Sequence, residues 1–253
     1  MVGSKVNGPG VQRRFDEARR DPSLVVLEGF HAIKHAIRFE ADFVGIVCLD
    51  ATAARNMASA LAPDIASRLE DRLEEVTTED FRQLTRDPTD TEIIAIARRP
   101  IGSLAGLLNS PKESPVVFLD RPSSHWNIGA AIRVAAAAGA AGVLTTGFQD
   151  PWHPSALRAA TGLQFALPVM QTDELQVGDR PLVAIDPDGD PSQTLVVPDR
   201  AVIAFGSERA GLSEEVLRRS HLRIAIPMEH GVSSLNVATA VAVVLYAARL
   251  SGA

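Results

Sequence analysis

Residues 201–213 read AVIAFGSERAGLS, a short apolar run that passes directly into a loop of glycine, serine and glutamate. The apolar run is typical of a buried strand. Gly206 and Gly211 permit positive φ angles and let a ligand approach the backbone, and Ser213 is suited to cap a following helix. Because open α/β sheets bind ligands at the carboxyl ends of their strands, this junction predicts a ligand site.

Two other segments join a strand-like run to a helix-like run in the same way. The first, NIGAAIRVAAAAG at residues 127–139, follows a loop and the apolar run VVFL at residues 116–119. The second, IPMEHGVSSLNVA at residues 226–238, leads into a long apolar helix. Since all three junctions lie in one half of the chain, we expect them to form one composite site.

Alternation of strands and helices along this half predicts a mainly parallel sheet with helices on both faces. We place its strands at residues 116–119, 142–146, 181–185, 201–205 and 222–226, and its helices at residues 128–138, 154–160, 214–219 and 235–250. A smaller α/β pattern precedes it, and prolines and glycines separate the two. The predicted domains are residues 1–100, a linker at residues 101–115, and residues 116–253.

The helix predicted at residues 235–250 is apolar on nearly every side. A helix with this pattern must be buried on every side. We therefore expect it to pack against its own sheet on one side and against a second subunit on the other.

Composition is that of an ordinary globular protein, with 253 residues that are 46% apolar and 22% charged. Cys48 is the only cysteine, which excludes an intrachain disulfide. No run is apolar enough for a membrane span or a signal peptide, so we expect a cytoplasmic location and no membrane partner. The net charge of −6 disfavours broad binding of nucleic acid, although a local basic patch is sufficient for RNA.

Simpler interpretations of the polar residues remain open at this point. Asn127 can cap the helix that follows it, and Ser233 or Ser234 can cap the last helix. Asn236 can likewise be a capping residue alone, and Arg133 a solvated helix charge. The acidic segment DPDGD at residues 186–190 falls short of an EF-hand loop and is interpreted as a turn.

The three segments, in this order and spacing, resemble the motifs of the SpoU (TrmH) branch of the SPOUT RNA methyltransferases. The resemblance covers roughly residues 115–250. Its motifs are Asn127-x-Gly129-x-x-x-Arg133 with Gly139, Gly206-x-Glu208-x-x-Gly211-Leu212, and Ile226-Pro-Met228 with Ser234-Leu-Asn-Val-Ala238. The chain departs from the family at His125-Trp126, where a proline-containing pair is usual, and this departure concerns loop shape and the choice of RNA.

The resemblance implies a parallel-sheet SPOUT domain with a deep trefoil knot, preceded by a small α/β RNA-binding domain similar to a ribosomal protein. It implies S-adenosylmethionine as the cofactor, held in the knot, and a homodimer built on the knot helices. The implied reaction is methyl transfer to a ribose 2′-hydroxyl of ribosomal or transfer RNA, without a metal ion.

The resemblance also assigns roles to individual residues. The catalytic set is Arg133, Asn127, Glu208, Ser234 and Asn236, and the cofactor-binding set is Gly206, Ser207, Gly211, Ile226, Met228 and Leu235. Arg133 either removes the hydroxyl proton or holds the adjacent phosphate. We favour the phosphate, because a guanidinium remains protonated up to a pKa above about 12.

Two other functions compete with this one. A non-catalytic RNA-binding or assembly factor could keep the same fold, although a scaffold does not need the whole polar set. A nicotinamide-dependent oxidoreductase lacks support, because the G-x-G-x-x-G fingerprint and the acidic residue that follows it are absent from the sequence.

Overall fold

The computed structural model describes residues 8–85, 91–190 and 197–251. The chain forms two compact units. The first comprises the chain up to Ile101 together with the short segment Thr161–Ala166, and the second comprises the remainder from Gly102 onward. The mixed α/β class predicted from the sequence is confirmed.

The described part of the first unit combines a four-stranded sheet with short helices. Its elements are α1 (Gly8–Ala18), β1 (Leu24–Glu28), α2 (Phe30–Arg38), β2 (Phe43–Cys48), α3 (Ala51–Leu61), α4 (Ala66–Glu70), β3 (Leu73–Glu75), α5 (Thr78–Leu84) and β4 (Ile93–Arg98). The strand order is β1-β4-β2-β3, in which β4 is antiparallel to both neighbours and β3 is parallel to β2.

Helices α1 and α5 pack against this sheet through an apolar cluster that includes Phe15, Phe81 and Ile94. Asp50 sets the start of α3, because its carboxylate accepts hydrogen bonds from the backbone N–H groups of Thr52 and Ala53 at 2.7 and 2.9 Å. The sequence did not predict β3, a three-residue strand that carries two glutamates and is held by its pairing with β2.

The second unit contains a six-stranded sheet in which every pair of neighbouring strands is parallel. Its elements are α6 (Leu104–Leu108), β5 (Val116–Leu119), α7 (His125–Ala138), β6 (Gly142–Thr145), α8 (Pro154–Ala160), β7 (Val169–Gln171), β8 (Leu182–Asp190), β9 (Val202–Phe205), α9 (Glu214–Arg219), β10 (Leu222–Ile224) and α10 (Val237–Ser251). The strand order is β10-β8-β9-β5-β6-β7.

Strand β5 lies in the middle of this sheet, between β9 and β6. All four of its residues are buried, as are all four of β9. Parallel strands covered on both faces need continuous apolar sequence rather than alternation, which is why VVFL and its neighbours read as unmixed apolar runs. The predicted parallel sheet is therefore confirmed.

One acidic segment was misinterpreted from the sequence. Residues 186–190 are not a turn but the end of β8, which runs from Leu182 to Asp190. Arg223 of β10 forms ion pairs with Asp186 at 2.9 Å and with Asp188 at 3.5 Å. The neighbouring strand therefore offsets part of the acidic charge of this segment, a contact that the local composition does not reveal.

The predicted linker at residues 101–115 contains the helix α6. Leu107 and Leu108 of this helix lie in the main apolar core of the second unit. Its carboxyl end is held by the buried guanidinium of Arg180, which donates five hydrogen bonds to backbone carbonyl oxygens. The acceptors are the carbonyls of Leu107, Leu108, Ser110, Ser114 and Arg200, at 2.9 to 3.3 Å.

Helix α10 packs against α7 and β9. Val241, Val244 and Leu245 are buried on that side, whereas Tyr246 and Leu250 are exposed. Burial on every side, as the sequence predicts, is thus not reached within one chain. Across the described ranges, no helix combines the length and the apolar character that a membrane crossing requires.

Candidate active site

The loops that follow β5 and β9 begin side by side, because these strands are parallel neighbours and Leu119 pairs with Phe205. The loop that precedes α10 meets them. Asn127 donates from Nδ2 to Oε1 of Glu208 at 2.5 Å, and Asn236 donates from Nδ2 to Oδ1 of Asn127 at 2.9 Å. One residue from each of the three sequence segments therefore enters a single hydrogen-bonded chain, which we call the Asn–Glu–Asn network.

The helix caps differ from those predicted. Ser124, rather than Asn127, caps α7, and its hydroxyl accepts from the N–H of Asn127 at 3.4 Å. Asn236 caps α10, since its Oδ1 accepts from Ala238 N at 2.9 Å, and the predicted caps Ser233 and Ser234 are wrong. Because Asn127 does not cap the helix, its side chain can donate to Glu208. Asn236 both caps α10 and belongs to the network.

Glu208 accepts a second set of hydrogen bonds on its other carboxylate oxygen. Oε2 accepts from the hydroxyl of Ser123 at 2.6 Å and from its N–H at 3.2 Å. Burial raises the pKa of Glu208, but hydrogen bonds from Asn127 and Ser123 outweigh it and hold the pKa below its usual value. The site therefore contains a carboxylate anion whose orientation is fixed from both sides.

The depressed pKa of Glu208 gives a pH-dependent contribution to stability. An acidic group whose pKa is lower in the folded protein than in the unfolded chain stabilises the fold when the pH is above its unfolded pKa. This contribution is lost as the pH falls through its folded pKa. We expect the melting temperature of the wild type to exceed that of Glu208→Gln at neutral pH, and the difference to shrink below about pH 4. Calorimetric melting of both proteins across this range checks the prediction, and a difference that grows on acidification contradicts it.

Asp120 was not predicted, although it follows the unmixed apolar strand β5 directly. It is only 4% exposed. Its carboxylate accepts from Ser213 N at 2.6 Å and from the hydroxyl of Thr146 at 3.3 Å. Asp120 thus joins the loops after β5, β6 and β9, and it holds the start of α9, for which Ser213 is the cap as predicted.

A cavity of about 500 Å³ lies beside the Asn–Glu–Asn network, within the second unit. All six residues predicted to bind the cofactor line it, namely Gly206, Ser207, Gly211, Ile226, Met228 and Leu235. Three residues of the predicted catalytic set line it as well: Glu208, Ser234 and Asn236. The sequence did not single out Ile185, Arg209 or Val237, which also form its wall.

The glycine loop on one wall of the cavity is closed on itself. Ser207 and Gly211 exchange backbone hydrogen bonds of 3.0 Å in both directions, and Gly211 has a φ of +65°. A Cβ atom on Gly206 would lie 2.2 Å from the carbonyl carbon of Gly211. Gly206 is therefore required by the close approach of the loop's own backbone.

Arg133 stands apart from the other predicted catalytic residues. It lies on the exposed side of α7. Within the described residues it forms neither a hydrogen bond nor an ion pair. The structure therefore brings Asn127, Glu208 and Asn236 together but leaves Arg133 available to a group outside the chain.

Comparison with known proteins places this site in a family. Residues 114–246 match the model of the SpoU rRNA Methylase family. The 23S rRNA (guanosine(2553)-2′-O)-methyltransferase RlmP of Bacillus subtilis is 28% identical over 90% of this chain and 89% of its own length. An uncharacterised tRNA/rRNA methyltransferase of Synechocystis is 38% identical over 53% of this chain, and the match spans about half of that relative, 52%.

Solved structures share the fold over nearly the whole chain. The SpoU methyltransferase AviRb of Streptomyces viridochromogenes, crystallised with AdoMet, superposes with a TM-score of 0.76 at 23% identity and 98% coverage of both chains. A structure described as an RNA 2′-O ribose methyltransferase gives 0.74 at 25% identity, over 97% of this chain and 95% of its own. The family match at residues 114–246 covers more than half of the sequence. The resemblance is therefore confirmed, and the chain belongs to the SpoU rRNA methylase family.

Proposed function

We propose that this protein transfers a methyl group from S-adenosylmethionine to a ribose 2′-hydroxyl of structured RNA, with ribosomal RNA as the first substrate to test. The observation that carries the proposal is the Asn–Glu–Asn network, which joins all three motifs along the wall of one cavity. Relatives named as 23S rRNA 2′-O-methyltransferases support the choice of ribosomal RNA.

The cavity fits the cofactor in size and in lining. Its volume of about 500 Å³ lies within the range of roughly 300–1,000 Å³ that small-molecule sites occupy. The glycine loop offers backbone polar groups, and Ile226, Leu235 and Val237 offer apolar surface. S-adenosylmethionine supplies an electrophilic methyl group when bound, and these residues would hold it.

The remaining residues act on the RNA. The Asn–Glu–Asn network fixes the side-chain amides of Asn127 and Asn236, and in this proposal these amides orient the ribose next to the cofactor. Arg133 holds the phosphate next to the reacting ribose, because its guanidinium is exposed, permanently charged and matched in shape to a phosphate. Proton removal from the hydroxyl is assisted through that phosphate, and correct orientation provides much of the acceleration.

We also propose a homodimer built on α7 and α10, and a deep trefoil knot at the cofactor site. The exposed apolar residues Tyr246 and Leu250 support the dimer, since a second copy would cover them. Support for the knot comes from the chain path: β10 is an edge strand, yet the chain returns to the middle of the sheet, where α10 packs on α7 and β9. Sedimentation of the full chain tests the dimer, and a monomer at micromolar concentration would overturn it.

The residues before the linker are proposed to form the RNA-binding domain that the resemblance implies. Residues 1–100 would bind structured RNA outside the methylated nucleotide, and residues 116–253 would carry the methyltransferase site. Deletion of residues 1–100 should then weaken binding of RNA without removing binding of S-adenosylmethionine.

The function is tested by transfer of labelled methyl from S-adenosylmethionine to unmodified ribosomal RNA and transfer RNA in separate reactions. We expect label in ribosomal RNA and resistance to alkaline cleavage at the modified linkage, because a methylated 2′-oxygen no longer attacks the phosphate. Label in transfer RNA alone would keep the reaction and change the substrate. No label in either pool, with an active control enzyme, would favour the non-catalytic factor.

Substitution of Gly206 by alanine is expected to weaken binding of S-adenosylmethionine by about tenfold or more. The added methyl would meet the backbone of Gly211 and Leu212 at 2.2 and 2.4 Å, and such overpacking costs about 1–3 kcal/mol. Titration calorimetry measures the change. Gly10→Ala is the matched control, because a methyl there meets nothing within 4 Å, and equal affinity in both variants would contradict the prediction.

A further inference from the structure

Two aromatic side chains beside the active site are exposed to an unusual degree. Phe148, in the loop after β6, is 103% exposed, and Trp126, in the first turn of α7, is 53% exposed. Single exposed apolar residues are common. These two differ from that background because the segments that carry them are in contact through His125 and His153, and one of these segments leads directly into Asn127.

The loop that carries Phe148 is held by its flanking residues. Gln171, at the end of β7, donates from Nε2 to the carbonyl oxygen of Gly147 at 2.6 Å and to that of Gln149 at 3.4 Å. These carbonyls lie on either side of Phe148, and Gly147 has a φ of +83°. Both neighbours of Phe148 are therefore fixed while its ring projects into solvent.

Arg121 lies directly against this loop. A Cβ atom on Gly147 would be 3.2 Å from the Cα of Arg121, and the N–H of Arg121 donates to the hydroxyl of Thr146 at 3.1 Å. The Arg121 side chain is half exposed, and its Nε donates to Asp120 at 3.2 Å. Its two terminal nitrogens form no hydrogen bond to any described residue, so they remain available to an anion.

A pair of histidines joins the segment of Trp126 to the segment of Phe148. The rings of His125 and His153 stack with centroids 3.8 Å apart and planes inclined by 12°. Burial and the neighbouring His153 lower the pKa of His125, which favours the neutral ring that can stack without repulsion. The first turn of α7 and the loop at residues 147–153 therefore form one continuous, ordered surface.

We propose that Trp126 and Phe148 form a surface on which unpaired bases of the substrate RNA stack, while Arg121 binds an adjoining phosphate. This inference rests on the proposed function and deepens it, because Trp126 immediately precedes Asn127. Every base has a face that can stack on an aromatic ring, and unstacked bases in loops and bulges of RNA are recognised in this way. Arginine adds a phosphate contact and attraction to the rings.

The position of this surface gives it a role in selecting the RNA. Trp126 immediately precedes Asn127, whose side chain donates to Glu208, so this end of the surface adjoins the Asn–Glu–Asn network. The nucleotides that bind to this surface would flank the methylated nucleotide. A substrate whose target lies in an unpaired loop is therefore favoured over a continuous duplex.

Intrinsic fluorescence provides a test that needs no turnover. The chain has two tryptophans, and Trp152 is only 5% exposed, so a quencher in solution acts mainly on Trp126. The probes are a short single-stranded oligoadenylate and an abasic oligonucleotide of equal length, which keeps the phosphates and lacks the bases. We expect the oligoadenylate to quench the emission, the abasic strand to do so far less, and Trp126→Phe to remove the response.

Variants of Phe148 separate stacking from apolar contact. Phe148→Ala and Phe148→Leu should each weaken binding of oligoadenylate by about tenfold, whereas Phe148→Tyr, which keeps a ring, should remain within about threefold of the wild type. Because the side chain is fully exposed, thermal stability should be unchanged in all three. With ribosomal RNA as substrate, Phe148→Ala should raise KM and leave kcat and the affinity for S-adenosylmethionine unchanged.

Three results would overturn the inference. The first is equal quenching by the oligoadenylate and the abasic strand, or none by either. The second is equal binding by Phe148→Ala and the wild type. The third is protection of Trp126 from acrylamide before RNA is added, which would assign the ring to contact with a second copy of the chain. Base-dependent quenching without methyl transfer would instead overturn the proposed reaction and leave the stacking surface standing.

Discussion

Arg133→Ala should lower kcat for methyl transfer by about a hundredfold or more, with unchanged affinity for S-adenosylmethionine and unchanged melting temperature. Stability should hold because Arg133 is exposed and has no hydrogen bond or ion pair within the described chain. The rate should fall because a phosphate held in place orients the adjacent ribose, and loss of such positioning costs this much or more. Multiple-turnover transfer at saturating ribosomal RNA gives kcat, and titration calorimetry gives the cofactor affinity.

Two further variants make this result specific. Arg218→Ala is the matched control, since Arg218 is another exposed arginine of the second unit without a hydrogen bond in the described residues, and it should keep full activity. Arg133→Lys should recover part of the rate, because lysine keeps the charge but loses the planar pair of donors. If Arg133→Ala retained kcat within about threefold of the wild type, Arg133 would have no role in the reaction.

Arg180→Met is expected to lower the free energy of unfolding of the second unit by about 3 kcal/mol or more. The change removes five hydrogen bonds and leaves buried carbonyl oxygens at the end of α6 without a donor. Each buried polar group left unsatisfied costs about 1–3 kcal/mol. Burial is the main cause that lowers the pKa of Arg180, with repulsion from Arg200 second, and the hydrogen bonds of its guanidinium all go to backbone carbonyl oxygens.

Equilibrium unfolding in urea measures this effect, provided that the transition of the second unit is followed separately from that of the first. Arg200→Met is the matched control. Arg200 makes an ion pair with Asp179 at 3.3 Å near the surface, and pairs of that kind contribute about 0–1 kcal/mol. Similar losses in the two variants would show that Arg180 contributes no more than a surface charge.

The parts of the fold that follow from periodicity were predictable. The strands β5 and β9 are unmixed apolar runs, and the polar residues that follow them had to meet at one edge of a parallel sheet. Short elements were not predictable. β7 is three residues long and is defined by pairing with β6, a contact that no local pattern encodes.

The residues of the site were predictable from the sequence, but their hydrogen-bond partners were not. All three segments were expected to converge. Ser213 was identified correctly as a cap, but the caps of α7 and α10 were misassigned, because serine and asparagine are about equally good caps. Ser124 caps α7, and the side chain of Asn127 instead donates to Glu208, which lies 81 residues away. The partner of Arg133 could not be predicted from the protein sequence, because in the proposed reaction that partner is a phosphate of the RNA.

The contacts of Arg180 could not be predicted from the sequence for a different reason. Its partners are backbone carbonyls from residues 107–114 and from Arg200, and every residue type carries such a group. A sequence therefore offers no complementary side chain by which the contact could be recognised.

The segments that line the cavity are synthesised in a fixed order, and this order determines when the cavity can form in a newly made chain. Asn127 and Glu208 are translated first, whereas the last wall of the cavity and the final donor of the Asn–Glu–Asn network come from residues 226–240. The cavity can therefore form only after this late segment has been synthesised and has folded onto the earlier strands. A chain interrupted ahead of it would lack both the last wall of the cavity and Asn236, so an unfinished copy would have no complete site.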